Sequence, residues 1–125
     1  MKKIIAAAIG AALSTTVAFA QGNYPSGPVT IIVPYGTGGS TDLTARAVAI
    51  ELEKIWNSPV VVVNKKGAGS MIGTTEVTQA APDGLTLLLN TAAITTAPAI
   101  QSDLKFDPVK DITPISLLIT SPYVL

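Results

Sequence analysis

The chain has 125 residues, with eight basic side chains balanced by eight acidic ones, and it contains neither cysteine nor histidine. Within this stretch that excludes Ser-His-Asp and Cys-His nucleophiles, disulfides and the usual cysteine and histidine zinc sites. A charge balance this even leaves no electrostatic footprint for nucleic acid or an anionic membrane surface.

Residues 1–20 read as an export signal. Lys2-Lys3 form a positive start, Ile4 to Val17 a run of mostly apolar or small residues, and Ala18-Phe19-Ala20 an A-x-A cleavage pattern. The rival reading is an uncleaved anchor, but the run falls short of the ~20 residues a spanning helix needs. Cleavage after Ala20 starts the mature chain at Gln21, not at a lipid-modifiable cysteine. It also removes Lys2 and Lys3, leaving six basic against eight acidic residues and a net charge of −2. The expectation is an exported protein whose 105 remaining residues suffice for one small domain.

Val29-Thr30-Ile31-Ile32-Val33 reads as a buried strand that runs into the glycine-rich turn Pro34-Tyr35-Gly36-Thr37-Gly38-Gly39. A helix from about Thr41 to Trp56 follows. Leu43, Ala47 and Ile50 on one line, and Val48, Leu52 and Ile55 on the next, give it a wide apolar stripe; Arg46, Glu53 and Lys54 lie opposite. Ser40 or Thr41 is expected to cap this helix, Asp42 to complement its dipole, and Asn57-Ser58-Pro59 to end it. Val60 to Val63 reads as a strand covered on both faces. A second turn, Asn64-Lys65-Lys66-Gly67-Ala68-Gly69-Ser70, leads into a helix from about Met71 to Ala80. After the tight turn Pro82-Asp83-Gly84 comes a strand, Leu85 to Leu89, with Asn90-Thr91 at its carboxyl end. A short helical piece over Ala97 to Gln101 and a fourth strand over Ile115 to Ile119 complete the reading. The apolar ending Ser121-Pro122-Tyr123-Val124-Leu125 reads as a fragment or a truncated gene.

Alternating strands and helices predict an α/β fold with a parallel sheet and right-handed crossovers. Ligands of such sheets bind at the carboxyl ends of the strands. Both glycine-rich turns and Asn90-Thr91 sit at those ends, so parallel pairing brings all three to one edge. The first turn also aims a helix N-terminus at its contents, which suits a carboxylate or phosphate without any basic side chain.

Each feature also has a plainer reading. The Gly36–Gly39 turn serves equally as a tight strand-to-helix connection. A dinucleotide loop fails, because Thr41 stands where the third glycine of G-x-G-x-x-G belongs and Asn64 where the ribose-binding acid belongs. No G-x-x-x-x-G-K-[ST] loop occurs. Lys65-Lys66 reads as a solvated pair or as an anion clamp. Ser40 reads as a cap, since no histidine activates it as a nucleophile, and Trp56 and Tyr123 read as packing residues or as stacking platforms.

Pro34-Tyr35-Gly36-Thr37-Gly38-Gly39-Ser40-Thr41-Asp42 resembles the P-[FY]-x-x-G-G-x-x-D loop of the Bug-type substrate-binding proteins, the periplasmic receptors of tripartite tricarboxylate transporters. The resemblance continues in order through Pro59 to Asn64, Lys66-Gly67-Ala68-Gly69, Ala81-Pro82-Asp83-Gly84 and Phe106 to Pro114. It covers the chain from Tyr24 to the end. It implies a two-domain clamshell of the type II periplasmic binding class, whose first domain is Rossmann-like with a parallel sheet and of which residues 21–125 are the N-terminal part. It further implies that Tyr35, Gly36, Thr37, Gly38, Gly39, Ser40, Thr41 and Asp42 form one finger and Ala68, Gly69 and Ser70 a second on one carboxylate group of a small ligand, with Thr91 lining the same cleft. Ser70 departs from the second glycine that many members carry.

The resemblance implies capture without catalysis: a monomeric periplasmic receptor with no cofactor or metal, which closes on a small carboxylate and docks on a membrane permease. Family members are much longer than this chain, so residues 21–125 alone are expected to bind carboxylates very weakly or not at all. The rival readings are an exported enzyme on a related scaffold and a nonfunctional remnant of such a receptor.

Overall fold

A computed structural model describes residues 24–121. The proposed signal at residues 1–20, its cleavage point and Tyr123 lie outside the described residues. Strand β1 (Val29–Val33) leads to helix α1 (Ser40–Trp56), strand β2 (Val60–Asn64), a 3-10 turn (Ala68–Ser70), helix α2 (Met71–Thr78), strand β3 (Thr86–Leu88) and helix α3 (Ala93–Ile100). The sheet order is β2-β1-β3, and both pairs are parallel. Val29 lies opposite Val60 and Val33 opposite Asn64, while Ile31 lies opposite Leu87. All three strands therefore end at the same edge, as the β-α alternation predicts.

One face of the sheet packs on α1. Val29, Ile31 and Val33 alternate along β1 and meet Ala45, Ala49 and Val60, with Leu52, Trp56, Val62 and Leu87 closing the sides. The buried helix line thus runs through two alanines, whose small side chains let the backbone of α1 approach the sheet closely. This departs from the expected stripe, because Leu43 and Ile50 are more than half exposed. At 3.6 residues per turn Leu43, Ala47 and Ile50 fall on roughly the opposite side of the helix from Ala45, Ala49, Leu52 and Trp56, so the expected stripe merged two faces, of which only the side carrying Leu52 meets the sheet. Trp56 packs edge-on against Tyr24 with ring centroids 5.3 Å apart, which is the packing reading. A second cluster, Met71, Ala97 and Phe106, joins α2, α3 and the loop after α3.

Several local expectations are corrected. Neither Ser40 nor Thr41 caps α1; the N-cap is Gly39, in extended conformation and with no side-chain cap. The Asp42 carboxylate reaches back one turn instead and takes the Gly38 N–H at 2.8 Å. Helix α2 packs against β1 and β3 and not against β2, so Val61 is half exposed and β2 is not covered on both faces. Helix α2 ends at Thr78, two residues before Ala80. Helix α3 begins at Ala93, four residues before the expected start at Ala97, and Pro98 lies inside it. Pro98 has no N–H to donate to Ile94 O, yet the helix runs on past it, and the Gln101 N–H bonds Ala97 O at 2.9 Å. Finally, Ile115–Ile119 forms no strand: the segment carries no regular structure, and Ile115 and Leu117 are about four-fifths exposed. Apolar β-branched composition sets a preference for strand, but a strand also needs a ladder partner, and no described segment pairs with it.

Candidate functional site

The first loop, residues 34–39, leaves β1 at its carboxyl end. Gly38 takes φ +84°, a left-handed conformation that favours glycine. Gly36 to Ser40 are all exposed, so the loop backbone is open to solvent. Beneath it Asp42 is buried, with 1% of its surface exposed. Its Oδ2 accepts from the Gly38 N–H at 2.8 Å and from Arg46 Nε at 3.1 Å. Its Oδ1 pairs with the second guanidinium nitrogen at 3.0 Å and accepts from Asn64 Nδ2, also at 3.0 Å. The Arg46 guanidinium and the Gly38 N–H lower the carboxyl's pKa to about 2, against the smaller opposing effect of burial. Asn64, the last residue of β2, ties this cluster together. Its Nδ2 also donates to Tyr35 O at 3.2 Å, and its Oδ1 accepts from Arg46 at 3.1 Å and from Thr37 Oγ1 at 3.2 Å.

The second loop turns through four consecutive residues with positive φ: Gly67 (+142°), Ala68 (+45°), Gly69 (+62°) and Ser70 (+81°). At Ala68 and Ser70 this conformation costs on the order of 1–3 kcal/mol each, and such strain persists where the surrounding structure over-determines it. Ser70 is 2% exposed, and its hydroxyl has no hydrogen-bond partner among the described residues. Helix α2 starts immediately after it and lies hard against the sheet end. A Cβ on Gly73 would come within 2.9 Å of both Lys65 O and Pro34 Cβ. Lys65 pairs with Glu76 at 3.2 Å on the surface, which favours the solvated reading of this lysine.

The third element is the end of β3. The Tyr35 hydroxyl reaches across from the first loop to Asn90 Oδ1 and Thr91 Oγ1, both at 2.7 Å. Asn90 Nδ2 in turn donates to Thr74 Oγ1 at 3.0 Å, and Thr74 Oγ1 donates to Ser70 O at 2.9 Å. Of the site residues expected from the sequence, Tyr35 and Thr91 are thus in direct contact, and Ser70 joins them through two intermediates. Gly36–Gly39 and Ser40–Thr41 lie on the first loop and the first turn of α1, and Ala68–Gly69 on the second loop. Four polar residues that tie the site together were not singled out as site residues: Arg46, Asn64, Thr74 and Asn90. Their signals were slight, namely a polar residue ending each apolar strand (Asn64, Asn90) and a threonine four residues after Ser70.

The description of the family whose model matches residues 44–125 is tripartite tricarboxylate transporter family receptor. The chain belongs to that family. It is 38% identical over 104 residues to Protein BugT of Bordetella pertussis, a match covering 82% of this chain and 32% of the relative. Among solved structures, periplasmic binding protein BugD superposes with a TM-score of 0.67 at 42% identity, covering 70% of this chain and 29% of BugD. MatC of Rhodopseudomonas palustris, solved with bound malate, gives a TM-score of 0.65 at 38% identity, covering 76% of this chain and 33% of MatC. The chain therefore spans about a third of the length of the family relatives it matches.

Proposed function

We propose that this chain supplies the carboxylate-gripping part of a periplasmic solute receptor of a tripartite tricarboxylate-type transporter. The reading rests on one observation above the others: the two glycine-rich loops and Thr91 lie at one sheet edge, the first loop tied to Thr91 by the Tyr35 hydroxyl and the second tied in through Asn90 and Thr74. Exposed backbone N–H groups at the start of α1, together with hydroxyls on both loops, suit the oxygens of a carboxylate. That a family relative, MatC, was solved with malate supports the ligand class. In this reading Tyr35–Thr41, Ala68–Ser70 and Thr91 bound the ligand, while Asp42 acts from below by holding the Gly38 turn. The Ser70 hydroxyl, buried and unpartnered, is a donor available once a ligand or an ordered water reaches it.

Residues 1–20 direct export and are removed after Ala20, and residues 21–125 form the N-terminal part of the first of two domains. The relatives' further length supplies the opposite side of the ligand, and closure on the ligand presents the receptor to its permease as a monomer. The protein binds and releases without turnover. Calorimetry on the protein recovered from the periplasm, titrated with malate, succinate and adipate, is expected to give saturable one-to-one binding to at least one of them. Hydrolysis of simple esters or amides without binding of any carboxylate would favour an exported enzyme and sink the receptor reading.

A further inference from the structure

We propose that Asn90 is a positioning residue that couples the two glycine-rich loops, through a one-way chain of hydrogen bonds from Thr91 to the carbonyl of Ser70. The direction follows from the atoms available. The Asn90 carbonyl oxygen can only accept, so the Tyr35 hydroxyl donates its single proton there, at 2.7 Å. Thr91 Oγ1 must then donate to Tyr35 across their 2.7 Å contact. On the other side the Asn90 amide nitrogen can only donate, so Thr74 Oγ1 accepts at 3.0 Å and passes its own proton to Ser70 O at 2.9 Å. Each hydroxyl in the chain donates to the next group and accepts from the last, an arrangement in which neighbouring bonds strengthen one another.

The chain joins residues far apart in sequence, Tyr35 to Asn90 and Asn90 to Thr74, and so ties the first loop to the second through the end of β3. Asn90 is the one side-chain amide in this hydrogen-bond network, and its acceptor and donor sit on two different atoms, so one side chain serves Tyr35 on one side and Thr74 on the other. Thr74 is fully buried, so no ligand touches it. Any effect of its hydroxyl on the first loop must travel through Asn90 or through packing, and a valine of the same shape separates the two. The consequence for affinity rests on the carboxylate-receptor reading. The coupling itself is a property of the ligand-free protein and is tested there.

The experiment compares backbone amide spectra of the ligand-free protein, as secreted, with those of T74V, T74S, Y35F and the double variant T74V/Y35F. T74V is expected to shift the amides of Gly36–Ser40 as well as those of Ala68–Ser70, and T74S, which keeps the hydroxyl, to restore both. Because T74V and Y35F cut the same chain, the double variant is expected to add little to either alone. Shifts confined to α2, or shifts that sum in the double variant, would overturn the proposal. Should T74V fail to fold, Y35F alone reads the same coupling in reverse, at Ala68–Ser70, and silence there would overturn it equally. With malate as probe, T74V is expected to weaken binding by roughly fivefold, the worth of one net hydrogen bond. Failure of the unaltered protein to bind malate, succinate or adipate counts against the receptor reading, while the ligand-free spectra still decide the coupling.

Discussion

Asp42→Asn is expected to lower the melting temperature at neutral pH by on the order of 10 °C, although the side chain keeps its shape. The carboxylate accepts from the Gly38 N–H, from two nitrogens of Arg46 and from Asn64. An amide turns one acceptor into a donor, which would then face the Arg46 or Asn64 donors. Rotating Asn64 does not rescue the contact, because its own carbonyl already serves Arg46 and Thr37 and its nitrogen serves Tyr35 O. Arg46 is about half exposed and finds water, which keeps the loss below that of a fully buried pair.

The same substitution changes the acid dependence. The folded-state pKa of Asp42 is depressed from 3.8 to about 2, so its contribution to stability is fully present above the unfolded value and is lost as pH falls through the folded one. Asp107 acts in the same sense, its carboxyl lowered first by the Val109 N–H and then by Lys110. Thermal melts from pH 5 down to pH 2 should therefore fall steeply in the unaltered protein and less steeply in D42N, the remaining slope reflecting Asp107 and the other carboxylates. Parallel slopes for the two proteins would show that Asp42 is not held as an ion beneath the loop.

Gly73→Ala pits two effects against each other. Replacing a helical glycine by alanine ordinarily stabilises by about 1 kcal/mol. Here the new methyl would lie 2.9 Å from Lys65 O and 2.9 Å from Pro34 Cβ, neither of which is the free end of a flexible chain. Lys65 is further pinned, since its N–H bonds Val33 O at 2.9 Å. Forcing a group into such a contact costs typically 1–3 kcal/mol, so we expect a net destabilisation of about 1–2 kcal/mol, read as a lower urea midpoint. Because α2 must move outward, Ser70 and Thr74 move with it, and carboxylate binding should weaken as well. A midpoint that stays or rises would mean that α2 does not approach the sheet end this closely.

Strands β1, β2 and β3 and the starts of α1 and α2 were legible because short β-branched or leucine-rich runs alternate with glycine-rich turns in an order that permits one topology. The convergence of the two loops and Thr91 followed from that topology alone. What stayed hidden depends on partners distant in sequence. Nothing in the α1 pattern says that Asp42 will bond backward to Gly38 and so displace Ser40 or Thr41 as cap. Asn64 looked notable as the start of the second turn and as a missing acid, yet it is the hub beneath the first loop, a role fixed by residues 18 to 29 positions away. Ile115–Ile119 has the composition of a strand and lacks a ladder among the described residues, which no local pattern reveals. Ser70, noticed as a departure from the family glycine, proved to hold both a left-handed backbone and a buried hydroxyl.

The most direct test of the proposed carboxylate site is an amide-resolved titration of the protein with malate, repeated with its neutral diamide. Gly36–Ser40, Ala68–Ser70 and Thr91 are expected to shift together and saturate at one malate concentration, while the diamide leaves them unmoved. Saturable shifts confined to other residues, or equal responses to malate and the diamide, would contradict a carboxylate site at this sheet edge.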